Sequence, residues 1–473
     1  MAHTPDAIVV GSGPNGLAAA ILLAEAGRSV TVFEADAIAG GGMRSAELTL
    51  PGFVHDICSA VHPFAPISPA FRSLPLAEHG LEWVRPPVMC AHPLDDGSAA
   101  SVVHEVRATS AGLGADGAAY AQLVGATVAD WLRLEPAVLG PPRWPRHPLA
   151  LARFGRHAIR SASGLASSTF ADAPARALFA GLAAHGMLPL EHAITAAFGL
   201  VLGATAHLAG WVFPRGGAQR LADALVAHLR SIGGEVITNT RVTSLDDLPP
   251  ARAILCDLSP APFLRIAGHR LPPAYRRRLE RYRYGMGVFK VDWALDGPIP
   301  WTADACTRAA TVHVGGTLEE IAASERAAWE GRHAERPFVL LAQHTPFDPS
   351  RAPVGQHTAW GYCHVPHRSV LDMLPRIEAQ IERFAPGFRD RILARHVMPP
   401  AALEQHNPNY VGGDIAAGVP DARQLVARPT LSHYSTPVPG LYLCSAATPP
   451  GVGVHGMCGY HAARRALHEV LRY

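Results

Sequence analysis

The sequence predicts an α/β protein in which one parallel sheet is assembled from distant parts of the chain and an α+β domain is inserted between them. Residues 6–34 read as strand, helix and strand, and both strands are apolar on each face, as central strands of a parallel sheet are. The same pattern returns at 217–258 and 440–471, beyond two long stretches of different character. We predict a discontinuous first domain of residues 1–70, 206–270 and 426–473, and a second domain of residues 71–205 and 271–425.

Each predicted element follows from a local pattern. In the first unit, a strand over 6–10 leads into a glycine-rich turn at 11–16 and a helix over 17–26, which Gly27 is placed to end. We expect residues 71–210 to be mostly helical, because they are rich in alanine and broken by prolines. The other predicted strands are 29–33, 236–238, 253–256, 288–293, 338–343, 358–363 and 440–444, and the other predicted helices are 218–231, 318–330, 370–384 and 454–471.

The composition excludes several classes of protein. Hydrophobic residues make up 48% of the 473 residues, enough for large cores, and a net charge of +2 gives no reason to expect a nucleic-acid partner. The seven cysteines are dispersed and none has Cys-x-x-Cys spacing, so we predict no metal site and no secreted disulfide framework. The N-terminus lacks a basic region followed by an apolar core, which predicts a cytoplasmic protein. The sequence favours no particular oligomeric state.

Two segments raise the question of a membrane. Between Glu191 and Arg215 no residue is charged, over a length that would span a bilayer, but the glycine, alanine, threonine and histidine content favours a buried helix followed by a strand. In residues 141–160, five arginines interleave with large apolar residues. Two interpretations of this second segment stand: a basic amphipathic surface that makes peripheral contact with an anionic membrane, and a solvated arginine face beside a loop.

A dinucleotide-binding motif follows the first predicted strand. Residues 11–16 (Gly-Ser-Gly-Pro-Asn-Gly) fit G-x-G-x-x-G, and Glu34 stands at the end of the second strand. Gly11 permits the tight turn, Gly13 lets the backbone approach a pyrophosphate, and Gly16 lets helix and strand pack closely. The free N–H groups and positive dipole end of the helix favour phosphates, and Glu34 is suited to accept hydrogen bonds from ribose hydroxyls. The motif by itself does not distinguish NAD from FAD.

Three further segments narrow that choice. They are residues 40–45 (Gly-Gly-Gly-Met-Arg-Ser), residues 211–217 (Trp-Val-Phe-Pro-Arg-Gly-Gly) and residues 440–457, which end in a glycine-rich run. Together with the N-terminal motif, they resemble the phytoene desaturase-like flavoproteins, which include carotenoid desaturases and isomerases, and within them the pyridine nucleotide-disulfide oxidoreductase domain 2 type. The resemblance runs over essentially the whole chain and implies a Rossmann-like FAD-binding domain of the glutathione-reductase and amine-oxidase type.

The resemblance also implies which residues hold FAD. Residues 41–44 match a segment that runs along the pyrophosphate and ribityl chain, and Arg44 is apt there because its fork can meet phosphate oxygens bidentately. Val242 matches the position whose backbone meets the adenine, and Ser445 and residues 451–457 match a turn whose helix N-terminus approaches the flavin ring. The predicted cofactor contacts are Gly11, Gly13, Pro14, Asn15, Gly16, Glu34, Ala35, Gly41, Gly42, Arg44, Val242, Ser445, Gly453, Gly456 and Met457.

The sequence departs from the family pattern at the expected flavin edge. Val452 interrupts a run that is three glycines in many relatives, and Ser445 stands where glycine is common. Only Cys58 lies near the position at which disulfide reductases carry a redox cysteine pair, so dithiol chemistry is not predicted. The sequence has no second G-x-G-x-x-G after a strand, which argues against a tightly bound NAD domain.

Lys290 and three histidines are the candidate catalytic residues. Lys290 is the only lysine of the chain, in a strand similar to the one in flavin amine oxidases whose lysine holds a water beside flavin N5. The alternative is an ordinary exposed strand lysine. His455 lies in the C-terminal turn, either to polarise the flavin or as a structural histidine bonded to backbone. His55 and His62 follow the glycine-rich segment, although chance placement is common among 25 histidines.

The predicted function is FAD-dependent dehydrogenation or isomerisation of a small, largely apolar substrate, isoprenoid or polyene-like by resemblance, with residues 192–214 lining its cavity. Two alternatives stand beside it. One is a flavin-dependent oxidase of an amine or specialised metabolite that uses oxygen; Lys290 favours it, and the absence of a recognisable aromatic pair in the C-terminal turn opposes it. The other is a non-enzymatic interaction protein stabilised by flavin.

Overall fold

A computed structural model of the chain describes residues 4–472. The strands are β1 (Ala7–Val10), β2 (Val30–Phe33), β3 (Ser45–Glu47), β4 (Val54–Asp56), β5 (Trp83–Val84), β6 (Val88–Pro93), β7 (Ala99–Val103), β8 (Phe213–Pro214), β9 (Glu235–Ile237), β10 (Ala253–Cys256), β11 (Gly287–Leu295), β12 (Ala309–Val314), β13 (Val339–Ala342), β14 (His357–Val365), β15 (Ile392–Met398) and β16 (Leu441–Leu443).

The α-helices alternate with these strands and also form a helical layer of their own. They are α1 (Pro14–Glu25), α2 (Val106–Gly112), α3 (Gly117–Tyr120), α4 (Ala126–Ala129), α5 (Trp131–Val138), α6 (Pro148–Ala158), α7 (Ala162–Thr169), α8 (Ala173–Ala184), α9 (Thr195–Leu208), α10 (Gln219–Ser231), α11 (Pro260–Ala267), α12 (Pro273–Glu280), α13 (Asp304–Thr307), α14 (Leu318–Trp329), α15 (Leu374–Phe384), α16 (Pro400–His406), α17 (Ala422–Val426) and α18 (Met457–Glu469).

A five-stranded parallel sheet with the order β16-β10-β1-β2-β9 brings together the two ends and the middle of the chain. Alternate residues of β1 face opposite sides, so Ala7 and Val9 pack in a core with α1, α10 and α18, whereas Ile8 and Val10 pack with α11 and α12. Burial on both faces is why these strands are apolar throughout. The predicted α/β class with a discontinuous Rossmann-like sheet is confirmed; the domain boundaries remain a prediction.

The second large sheet is mixed and has seven strands, in the order β15-β11-β14-β13-β12-β6-β7. Only β12 and β6 pair in parallel; the other neighbours are antiparallel. One face packs Val291 and Trp293 against α15, and the opposite face presents Val288 and Tyr362 to the core of α8 and α9. This second face forms one wall of the site described below.

The prediction that residues 71–210 are mostly helical is wrong between 83 and 103. That stretch holds β5, β6 and β7, and β6 pairs with β12 on one side and β7 on the other. The run Val88–Pro93 is buried along its whole length. A short apolar run of this kind carries no periodicity that separates a central strand from a buried helix, so only its long-range partner decides.

Several element boundaries also shift, each for a local reason. Helix α1 begins at Pro14 rather than at residue 17, because proline is preorganised for the first turn of a helix. Helix α15 begins at Leu374 rather than at 370, again with a proline in its first turn. The uncharged segment forms α9 followed by the short strand β8, and no helix within residues 4–472 is long and apolar enough to cross a membrane.

Candidate active site

The carboxyl ends of four parallel strands meet at one edge of the five-stranded sheet. Gly11 follows β1, Glu34 follows β2, Asp257 follows β10, and Ser445 lies two residues after β16. Because parallel strands all run the same way, residues far apart in sequence converge here. The same edge receives the N-terminus of α1, whose free N–H groups form a site for an anion.

Space around the glycine-rich turn admits no side chains. A Cβ atom at Gly16 would lie 2.1 Å from the carbonyl oxygen of Gly11, and one at Gly13 would lie 2.6 Å from Oδ2 of Asp257. A Cβ at Gly41 would lie 2.9 Å from the Cα of Gly13, which brings the second predicted segment against the first. The turn is therefore a bare backbone cradle, as dinucleotide binding requires.

Asp257 completes this cradle, and no motif in the sequence indicated it. Its Oδ2 accepts a hydrogen bond of 2.9 Å from the backbone N–H of Gly16, and its side chain is buried. Burial raises the pKa of Asp257 to about 7, against the lowering effect of that hydrogen bond, and the nearby Glu34 raises it further. The carboxyl thus sits beside the anion site with a pKa near neutrality.

Glu34 and Arg44 already have partners within the protein. Glu34 Oε2 accepts from the backbone N–H of Ser12 at 2.9 Å, and Oε1 accepts from the N–H of Asp36. The Arg44 guanidinium is ion-paired with Asp36, and Nη2 lies 3.0 Å from Nε2 of His406. Arg44 therefore lies beside the cavity with its fork held by protein groups, and a bidentate phosphate contact remains a prediction.

A single cavity of about 1160 Å³ runs from this cradle into the interface of the two sheets. This volume exceeds the roughly 300–1,000 Å³ of ordinary ligand sites, so it has room for a dinucleotide and a second molecule. The predicted contacts that line it are Gly11, Gly13, Pro14, Asn15, Glu34, Ala35, Gly41, Gly42, Arg44, Val242, Ser445 and Gly453. Gly16, Gly456 and Met457 lie outside its lining, where they serve packing and the start of α18.

Lys290 lies on the cavity wall and is 2% exposed, so the alternative of an ordinary exposed lysine is wrong. Its Nζ donates to Oδ2 of Asp292 and lies 5.9 Å from the ring centroid of Trp360. Strand β11 places Lys290 and Asp292 on the same face because side chains alternate along a strand. The sole lysine is thus a buried ion-paired group that borders the cavity.

The three candidate histidines have different positions. His455 lines the cavity, but its Nδ1 accepts from the N–H of Met457 at 3.0 Å and so caps α18; burial lowers its pKa to about 4. His55 and His62 are buried outside the cavity lining, so neither position supports a contact with a bound ligand. His62 Nε2 lies 3.2 Å from Ser59 Oγ, and His55 faces Asp292.

Four further residues of the cavity wall were missed because they lie far from the glycine motif in the chain. Trp360 and Tyr362 stand on β14 with their rings edge-to-face at 5.1 Å. The hydroxyl of Tyr410 approaches Gly42 so closely that a Cβ there would lie 2.5 Å from it. Arg428, 1% exposed, donates to the carbonyl oxygens of Ala446 and Ala416 beside the C-terminal turn. No sequence spacing relates these residues to the glycine motif.

Comparison with known proteins agrees with this geometry. Residues 9–74 match the model of an NAD(P)-binding Rossmann-like domain. The chain is 26% identical to pyridine nucleotide-disulfide oxidoreductase domain-containing protein 2 of Rattus norvegicus, over 99% of this chain and 93% of that protein. It is 25% identical to the neurosporene-forming phytoene desaturase of Rhodobacter capsulatus, over 52% of this chain and 51% of the desaturase.

Solved structures show the same fold. An oxidoreductase from Methanosarcina mazei superposes with a TM-score of 0.66 at 18% identity, covering 98% of this chain and 99% of that one. Cyclohexylamine oxidase from Brevibacterium oxydans superposes with a TM-score of 0.59 at 16% identity, covering 99% of this chain and 100% of that one. At these identities the likeness concerns the fold.

The fold, the cradle and these relatives together define an enzyme of the FAD-dependent oxidoreductase class. Within that class, the similarity to pyridine nucleotide-disulfide oxidoreductase domain-containing protein 2 and to phytoene desaturases confirms the family resemblance that the sequence motifs predicted.

Proposed function

We propose that the chain uses FAD to dehydrogenate, or to isomerise, a largely apolar substrate of isoprenoid or polyene type. One observation carries the proposal: a single cavity joins the dinucleotide cradle, Lys290 and an apolar wall. Trp211 contributes to that wall, and most of its other residues come from α9 and the turn before it. Its residues are Ile194, Ala197, Phe198, Val201 and Leu202. An apolar substrate is favoured there because its binding removes from water both its own apolar surface and that of the cavity wall.

The residues present fit FAD. The glycine cradle and the N-terminus of α1 suit a pyrophosphate, Glu34 suits a ribose, and the backbone at Val242 borders the end of the cavity where an adenine would lie. FAD, when bound, supplies the two-electron oxidation. The chain's own contribution is to bind, to exclude water with the apolar wall, and to hold a proton at Lys290 Nζ.

The first test is the anaerobic visible spectrum of the purified protein, before and after addition of a lipid and metabolite extract of its host. A flavin band that bleaches supports a dehydrogenase, and fractionation of the extract then leads to the substrate. A flavin band that never bleaches contradicts oxidation of any extract component and favours redox-neutral isomerisation or a non-enzymatic role. Absence of flavin, together with failure of the protein to bind added FAD, overturns the proposal.

An oxidase of an amine or specialised metabolite is the second candidate, and the buried position of Lys290 at the cavity favours it. For such an enzyme, Lys290→Met should slow reoxidation of the reduced flavin by oxygen by about 10²-fold, the lower end of what a positioned proton donor contributes. Stopped-flow absorbance after mixing with oxygenated buffer measures this rate. Reoxidation at the wild-type rate would count against the oxidase.

The pKa of Asp257 predicts how FAD binding responds to pH. The raised pKa keeps the carboxyl neutral in mildly acidic solution, and ionisation above pH 7 places a negative charge beside the phosphates. Wild-type affinity for FAD should therefore fall about tenfold between pH 6 and 9, equivalent to ~1.4 kcal/mol. Asp257→Asn keeps the hydrogen bond from Gly16 and should remove this dependence. Titration of apoprotein by flavin fluorescence checks it, with Asp96→Asn on the surface as control.

We also propose that residues 141–160 rest on an anionic membrane surface. Trp144 is 92% exposed and Leu149 is 76% exposed. Four of the five neighbouring arginines form no ion pair with a carboxylate in residues 4–472: Arg143, Arg146, Arg156 and Arg160. Exposed apolar groups among unpaired cations suit anionic lipid. Residues of the same segment line the end of the cavity and are partly exposed, so an apolar substrate would enter from the lipid.

Vesicle flotation tests this contact. Trp144→Ser with Leu149→Ser should reduce binding to vesicles containing phosphatidylserine by at least about tenfold, and added salt should weaken wild-type binding because exposed charges are screened. Val370→Ser, which also removes an exposed apolar side chain, is the matched control. Wild-type protein that stays in the soluble fraction with anionic vesicles would contradict the proposal.

A further inference from the structure

A line of polar side chains runs along one face of the seven-stranded sheet, from the cavity to the edge strand β15. Lys290 and Asp292 are both buried on β11, where Nζ of Lys290 donates to Oδ2 of Asp292. His396, on the neighbouring edge strand β15, stands directly opposite Asp292, and its Nδ1 lies 3.3 Å from the same Oδ2. The His396 side chain is 34% exposed. Three side chains thus connect the cavity with solvent without a gap.

The carboxylate at the centre of this line is incompletely paired. Oδ1 of Asp292 has no hydrogen-bond partner within residues 4–472, and it faces Nδ1 of His55, also buried and unpartnered, at 3.8 Å. A buried ion pair kept only for structure would normally have its remaining lone pairs satisfied. Lys290 and His396 therefore both lie at Oδ2 of Asp292, and the other carboxylate oxygen is left without a hydrogen bond.

Of the titratable groups around Asp292, His396 is the one that connects it with solvent. His55 is buried, and burial lowers its pKa to about 4, so it stays neutral near pH 7 and has no contact with solvent. The other titratable groups close enough to influence the line are Asp56, Cys58 and His406. Cys58 and His406 border the cavity, whereas Asp56 is fully buried and held by Arg351. Among these groups, His396 alone joins Asp292 to the outer edge of the sheet.

We propose that Lys290, Asp292 and His396 form a proton relay between the cavity and solvent. The inference rests on the proposed function, because oxidation of a C–H bond releases a proton into a cavity from which water is excluded. Lys290 Nζ gains that proton as one of its N–H protons passes to Asp292 Oδ2; the carboxyl proton passes to His396 Nδ1, and His396 releases one to water. These steps are proton transfers only: no group is oxidised or reduced, and no bond between heavy atoms is formed or broken. Asp292 and His396 act through Lys290, which alone of the three reaches the cavity.

The single lysine makes a direct test available. Lysine labelled with ¹⁵N at Nζ and ¹³C at Cε reports only Lys290 in the full chain, and the exchange of its Nζ protons with water can be measured by NMR. The relay predicts exchange in the wild type that is at least about tenfold faster than in His396→Gln or Asp292→Asn. Imidazole in solution should restore exchange in His396→Gln, because it can replace the missing side chain at the surface. It should leave exchange slow in Asp292→Asn, where the missing carboxylate is buried. His357→Gln, a half-buried strand histidine without contact to Asp292, should exchange like the wild type.

Each outcome bears on the relay separately from the proposed function. Equal exchange in wild type and His396→Gln, absence of imidazole rescue, or slowing by His55→Gln in place of His396→Gln would overturn it. The measurement is made on the FAD-loaded protein, in which the cavity beside Lys290 is occupied, and it needs no substrate, so these results leave the oxidoreductase proposal intact. Conversely, a flavin that no extract component reduces would contradict the dehydrogenase while the relay could still be observed. His396 lies on an exposed edge strand, so its substitution leaves the fold in place even where Asp292→Asn does not.

Discussion

Replacing Gly16 with valine should abolish retention of flavin and lower the free energy of unfolding by about 3 kcal/mol. The reason is steric: a Cβ at this position would lie 2.1 Å from the carbonyl oxygen of Gly11, a backbone atom that cannot rotate away. Relief requires α1 to move off β1, which opens the cradle and disturbs the hydrogen bond from Gly16 to Asp257. The flavin-to-protein absorbance ratio after purification and a urea titration measure the two effects.

The matched control for this substitution is Gly112→Ala at the end of α2. There a Cβ would meet nothing within 4 Å, and the backbone does not require glycine. Stability should rise by roughly 0.4–1 kcal/mol or stay unchanged, with flavin retained. Full flavin content in Gly16→Val would show that the close approach of α1 and β1 is not needed for binding.

Replacing Arg351 with methionine should lower the free energy of unfolding by about 3–5 kcal/mol at pH 7. Arg351 is fully buried, with Nη1 2.6 Å from Asp56 Oδ2 and Nε 3.1 Å from Asp348 Oδ2. Asp56 also accepts from the N–H of Ala218, and Asp348 accepts from the N–H of Gly216, so both carboxylates hold the turn before α10. Without Arg351, Asp56 loses its arginine partner and Asp348 keeps only Arg215, whose Nη1 lies 3.7 Å from Oδ1. Urea unfolding monitored by tryptophan fluorescence gives the loss.

The same pair predicts a dependence on pH. Burial alone would raise the pKa of Asp56, but Arg351 and its other partners lower it well below the ordinary value. The carboxylate therefore contributes stability that is present above about pH 4 and is lost as pH falls toward the lowered pKa. In Arg351→Met this contribution is gone, so the stability difference between variant and wild type should narrow below pH 4. Arg332→Met, at an exposed ion pair, should change stability by less than about 1 kcal/mol at either pH.

Local patterns in the sequence were enough to predict the first strand-helix-strand unit of the parallel sheet. The strand, glycine turn and helix of residues 6–34 are continuous in the chain, and each part has a local cause: β-branched strands, a turn that excludes side chains and a proline at the start of α1. The motif at 211–217 could be recognised but not explained, because its partners Asp56, Asp348 and Arg351 lie far away in the chain.

What only the tertiary structure decided depends on contacts between distant segments. β6 is a strand because β12 and β7 lie beside it, and a largely apolar run of six residues contains no such information. Asp257 acquires its raised pKa from burial under the turn of Gly16, and Lys290 acquires its line to solvent from His396 on the next strand. By itself the sequence determined the glycine turn of the nucleotide cradle, because residues 11–16 are neighbours in the chain, whereas Asp257, which completes the cradle, is 241 residues away from Gly16. The wall, charge and proton exit of the cavity were decided by folding, because burial and proximity arise only when separate elements pack together.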